Sequence, residues 1–251
     1  MMKKTFLYLF LLFVPAAVIL PVSSASAAAV TQDNFYTSTT ELLQRHVKQG
    51  QVNYRSLQQD GQKLKQLVQQ VAAYNLSNAS AAERKAFYIN AYNLLVLQQV
   101  LEHYPLKSVM DVKGFFDGNK YKVAGESLTL NQLEKQKLLE PFNDARVHFA
   151  VVCAAKSCPP LLSEAYTPQK VEQQLQAQAE RTLQGKQFIK VQPQNRKVLV
   201  SEIFNWYKSD FGSSNNSILA YINRYRTQAV PKNYDLGYYT YNWQLNDISG
   251  K

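Results

Sequence analysis

The sequence is poor in the residues that bind metals and staple small folds. Two cysteines and three histidines in 251 residues exclude a disulfide-framework miniprotein and a four-cysteine zinc site. Nine glycines and nine prolines, against a hydrophobic share of 46%, exclude collagen-like, low-complexity and wholly disordered chains. There is no P-loop, no G-x-G-x-x-G, no G-x-S-x-G and no H-E-x-x-H, so no cofactor and no metal are expected. Nothing pairs carboxylates such as Glu126, Glu164, Asp210 and Asp247 as a glycosidase acid and nucleophile. The length is ample for a core that needs no staples.

The first stretch is written for export. MMKK precedes an apolar run from Thr5 to Val22 and a small-residue tail, SSASAAA. This pattern predicts a signal peptide over residues 1–27, cut after Ala27 or, second, after Ala29. An uncleaved membrane anchor is the alternative, opposed by Pro15 and Pro21. The expected product is exported to the periplasm or beyond, with no transmembrane segment left. Removing residues 1–27 takes away Lys3 and Lys4 and no acid, so a net charge of +10 becomes +8. That surplus favours anionic envelope components as partners. The basic residues are dispersed along the sequence, however. No nucleic-acid-binding motif occurs, so no nucleic-acid partner is expected.

Periodicity predicts one α+β domain: several helices around a small, mostly antiparallel sheet. Residues 28–34 read as a frayed tail and 28–49 as an N-terminal helical segment. Residues 55–74 form an amphipathic helix, weakened near Gly61. Ser80-Ala81-Ala82-Glu83 caps a buried helix that Pro105 ends, and Thr129 to Gln132 caps another. ARVHFAVVCAA, rich in β-branched residues, reads as a strand buried on both faces. Thr167-Pro168 opens a helix to about Leu183. FIKV and KVLV form a hairpin, and an aromatic final strand ends the chain.

His148, Cys153, Ser157 and Cys158 fall within eleven residues, and four readings remain open there. The cysteines can form a disulfide, contributing ~2 kcal/mol for so short a loop. Cys158 can be a nucleophile with His148 as base and Lys156 as a nearby cation. The three side chains can be metal ligands, or they can be core packing. On a continuous strand, His148 and Cys153 would face opposite ways. That makes Cys158 the better nucleophile and weakens the metal reading. Asn90 and Asn93 share a helix face. They either fix a neighbouring loop or line the site, orienting a partner or donating to an oxyanion.

AFYINAYNLLVLQQVLEHYP, VAGESLTLNQLE, ARVHFAVVCAAKSCPPL followed by EAYTP, and SEIFNWYKSDFG occur in that order. Together they resemble the domain-of-unknown-function 547 family over residues 50–251. A resemblance to papain- and transglutaminase-like folds is looser. It implies a central helix followed by a strand bearing a histidine. Here the cysteine expected at the N-terminus of that helix is missing.

Two functions follow as expectations. One is a thiol-dependent hydrolase or transferase acting on peptide or amide bonds in the envelope. Its candidate catalytic residues are Cys158, His148, Cys153 and Asn90, with Asn93, Ser157, Lys156 and Trp206 binding substrate. The other is a non-catalytic protein binding an anionic or glycan partner. It would hold a structural Cys153–Cys158 disulfide and use aromatics such as Trp206, Tyr207, Tyr238, Tyr239, Tyr241 and Trp243.

Overall fold

The computed structural model describes residues 24–249, with side chains from residue 34. The apolar run of the expected signal peptide lies outside the described residues. Helix α1 (Ser24–His46) already includes residues 28–34, which are helical rather than frayed. A tight turn joins β1 (Val47–Lys48) to antiparallel β2 (Gln51–Val52). Gly50 allows that turn: its φ is +84°, and an added Cβ would overlap the Pro160 ring. The expected helix over 55–74 is two helices, α2 (Tyr54–Gln59) and α3 (Gly61–Ala73), broken at Asp60.

Helix α4 (Ala81–Glu102) is the centre of the molecule. Ser80 caps it by accepting from the Glu83 amide at 3.1 Å. It is buried on nearly every side from Lys85 to Val100, as its apolar circumference predicts. Strands β3 (Tyr121–Val123) and β4 (Glu126–Leu128) form a hairpin that delivers Thr129. Thr129 and Gln132 form a reciprocal capping box over α5 (Leu130–Gln132). The helix continues as a π-helical stretch, Leu133–Leu139, and ends as α6 (Glu140–Phe142).

ARVHFAVVCAA is not a strand. Residues Ala145–Phe149 form a 3-10 helix, and the chain beyond runs irregularly to an isolated bridge between Ala155 and Leu245. The apolar sequence fits its burial, but other groups take its hydrogen bonds. Asp144 accepts from the Arg146 amide, while the Asn93 side chain bonds the backbone of both Ala150 and Val152. A buried segment with its polar groups satisfied this way needs no neighbouring strand.

Helix α7 (Val171–Gln184) begins later than Thr167-Pro168 suggested. Thr167 closes a turn first, its carbonyl accepting from Lys170 and Val171. The FIKV/KVLV hairpin is present as β5 (Ile189–Gln192) and β6 (Lys197–Val200). Three short helices follow: α8 (Ile203–Trp206), α9 (Lys208–Phe211) and α10 (Asn215–Asn223). Strand β7 (Asp235–Tyr238) then pairs parallel with β6, giving a three-stranded sheet.

The last segment works as a strap. Gln244, Leu245 and Asp247 bridge to Ser108, Ala155 and Val52 respectively. Asn246 accepts from the buried Tyr54 hydroxyl at 2.8 Å. Two apolar clusters result, one around α4 and one around the three-stranded sheet with Phe149, Phe204 and Phe211; Trp243 packs against both. The architecture is α+β in one domain. No described helix is long and apolar enough to cross a membrane.

Candidate functional site

Where the two clusters meet, the chain leaves a cavity of about 190 Å³. Tyr92 and Val151 reach it from the α4 side, and Ile203, Tyr207 and Tyr241 from the other. Trp206, Tyr241 and Trp243 make an aromatic wall. The two indoles stack at 5.7 Å and 22°, and Tyr241 lies 4.7 Å from Trp243. Trp206 is 47% exposed, unusual for a tryptophan in an ordered wall.

His148 is buried and lines this cavity. Its Nε2 lies 2.8 Å from Asp210 Oδ2. The ring sits against Tyr207, with centroids 4.1 Å apart. Burial holds the imidazole below its usual value, against the pull of Asp210. The ring is therefore neutral near pH 7. An ionised carboxylate only accepts, so Nε2 carries the single proton. Nδ1 is left with a lone pair.

The 3-10 turn carrying His148 is anchored by charge. Asp144, which caps it, binds Lys85 Nζ at 3.2 Å and Arg146 at 2.7 Å, and Glu172 of α7 bonds the same two cations. Burial pushes Asp144 upward, but the Arg146 bonds and the nearby cations hold it below its ordinary value.

Glu134 is the carboxylate opposite in character. It is 7% exposed, sits in the π-helical stretch and lines the cavity. Tyr207 donates to its Oε1 at 3.0 Å, and Tyr92 lines the same cavity. Burial still pushes its carboxyl above the usual range, and Asp210 adds to that. Their own burial, reinforced by the neighbouring Glu134 charge, raises the hydroxyls of Tyr92 and Tyr207 and keeps them protonated. A π-helical turn displaces side chains from the regular helical face, and such turns recur at functional sites.

Cys153 and Cys158 are joined, their sulfurs 2.10 Å apart. Among the described residues there is no free thiol. The Tyr241 hydroxyl lies 3.1 Å from Cys153 Sγ, and the amides of Cys153 and Ala155 donate to Cys158 Sγ. In this form neither sulfur is a nucleophile or a thiolate ligand. No described cluster of three or more His, Cys, Asp or Glu is arranged to hold a metal ion.

The candidates separate into three places. His148, Cys153 and Trp206 line the aromatic cavity; the opposite-face argument fails because its strand does not exist. Lys156, Ser157 and Cys158 line a different groove. Asn90 and Asn93 line neither cavity. Asn90 accepts from the Tyr166 amide and spends both its amide protons on the carbonyls of Tyr166 and Ala86. Asn93 is committed to Ala150 and Val152. They fix loops, and Asn90 has no proton left for an oxyanion.

Sequence reasoning missed Glu134 as a site residue, named Tyr207 only among the aromatics of a binding surface, and left Asp210 unpaired. A signal for Glu134 existed: it lies four residues after Leu130 and four before Leu138, on the buried stripe of its helix. No curated protein and no solved structure matches this chain. Residues 76–183, which carry Glu134, His148 and both cysteines, match the family model described as "Protein of unknown function, DUF547", supporting the resemblance its motifs carry.

Proposed function

We propose that the chain is an exported hydrolase or transferase of peptide or amide bonds, working by acid–base chemistry in the aromatic cavity. The observation that carries this reading is the His148–Asp210 pair beside buried Glu134. The two environments push an imidazole down and a carboxyl up in one cavity, the separation that assigns a base and an acid. Asp210 orients the imidazole. His148 Nδ1 takes a proton from an attacking water or acceptor hydroxyl. Glu134, whose protonated form burial favours, gives one to the leaving nitrogen. A cavity of about 190 Å³ is below the usual size of drug-sized sites; it suits one residue-sized group stacked on Trp206 and Trp243.

A thiol form of the same reaction has one observation in its favour: Cys153 lines the cavity that His148 lines. Reduction of the disulfide would make Cys153, not Cys158, the nucleophile. The signal-peptide pattern and the disulfide both support residence outside the cytoplasm.

The test is turnover of cell-wall peptide fragments, followed by mass spectrometry with and without dithiothreitol. His148→Asn should lower kcat by about 10²–10⁴, and Asp210→Asn should lower it with KM little changed. Full turnover by the His148 variant refutes the reading. Activity only after reduction, lost in Cys153→Ser, selects the thiol form.

A further inference from the structure

Cys158, the other half of the disulfide, faces a second and larger groove of about 730 Å³. Four cations line it: Lys156 from the loop beside the disulfide, Arg181 from α7, Lys186 from the turn after α7, and Lys190 from β5. No carboxylate among the described residues lines it. Among the described residues none of the four is in an ion pair. Lys156 bonds only a neutral amide, Gln244, at 2.9 Å, and Lys190 rests 4.0 Å above the ring of Tyr239. The cations are scattered in sequence and gathered by the fold, so the basic surplus is more concentrated than the sequence suggested. Like charges in one concavity repel each other and raise the local concentration of anions.

The rest of the lining is mostly neutral amide and hydroxyl. One of these groups is orphaned: Thr182, 2% exposed, has an Oγ1 that is buried without a partner among the described residues. Buried polar groups are normally hydrogen-bonded, so an unspent hydroxyl beside the cations marks a place for a polar ligand. The groove is too large for a single phosphate or sulfate. It is poorly furnished for nucleic acid, which wants open aromatic faces for its bases. Its aromatic side chains are Phe188, which is buried, and Tyr239, whose face Lys190 covers.

We propose that this groove binds an anionic oligosaccharide, a chain of sugar hydroxyls carrying sulfate, phosphate or carboxylate groups. The anionic groups meet Lys156, Arg181, Lys186 and Lys190. The amides and Thr182 meet the hydroxyls. The site is independent of the acid–base cavity, so either can fail without the other.

The test is calorimetric titration of the oxidised full chain with a heparin-derived hexasaccharide in 50 and 300 mM NaCl. Binding at low salt should weaken severalfold at high salt. Lys186→Glu with Lys190→Glu should weaken it about tenfold. Lys120→Glu with Lys122→Glu, outside the groove, should leave it within about twofold. Arg181→Gln, a milder change, should weaken it in the same direction if the charge reversals disturb folding. His148→Asn should bind as the parent does. No binding at 50 mM NaCl overturns the proposal. So does equal weakening by the two double variants, displacement by equimolar inorganic phosphate, or equal binding of a single-stranded DNA of the same charge.

Discussion

Asn93→Leu isolates the device that replaces a strand in the middle of this protein. The side chain is 4% exposed. Its amide donates to the Ala150 carbonyl at 2.9 Å and its oxygen accepts from the Val152 amide at 3.0 Å. Leucine has a similar volume and makes neither bond. Two buried backbone groups lose their partners, at about 1–3 kcal/mol each. Leucine's own burial returns about 1–2 kcal/mol, leaving a net loss of about 0–5 kcal/mol, centred near 2.5 kcal/mol. For a domain of this size the central figure corresponds to a Tm lower by roughly 5–10 °C. The assay is urea unfolding of the oxidised protein, read by tryptophan fluorescence. The midpoint should fall with the slope unchanged. Glu102→Ala, at the exposed end of the same helix, should stay within about 0.5 kcal/mol. A loss below about 1 kcal/mol for Asn93→Leu would refute the claim that these bonds hold the segment.

Four further outcomes are expected. The acid limb of the pH–rate profile should have its midpoint below 6.5, because His148 must be neutral and its folded-state value is depressed; Glu134→Gln should abolish the alkaline limb. Because burial raises the Glu134 value above its unfolded 4.5, the folded state loses stability as pH rises from 4.5 through that raised value. Glu134→Gln should therefore be more stable than the parent at pH 7 by urea unfolding, an advantage that vanishes near pH 4. Gly50→Ala should cost more than about 2 kcal/mol in the same assay, through its positive φ and overlap with Pro160. Peptide mapping without reductant should recover Cys153 and Cys158 in one linked species, and breaking that link should lower stability by about 2 kcal/mol.

Local signals in the sequence carried most of the elements. The Ser80 and Thr129 caps, the buried α4 and the β5–β6 hairpin follow from short-range chemistry, and each is present. The segment 145–155 was not legible, because an apolar, β-branched run reports burial without reporting what satisfies its backbone. The answer lay in Asn93, far earlier in the chain, and in Asp144. The site divided the same way. His148 and the cysteines were visible as a cluster. Asp210 reaches His148 across 62 positions and Tyr207 reaches Glu134 across 73, and no local pattern encodes such pairings. The split of the cysteines between two cavities likewise depends on a loop that turns where a strand was expected.

The strap at residues 244–247 sets an order of events. Tyr241 and Trp243, just before it, supply much of the aromatic wall, and Asn246 ties the strap to Tyr54 near the other end of the fold. His148, Glu134 and Asp210 are all synthesised before any of these residues. A chain still emerging from the ribosome therefore carries His148, Glu134 and Asp210 without the aromatic wall they face. Contacts this distant in sequence carry a large loop-closure cost. The aromatic cavity is thus closed only when the last segment has docked.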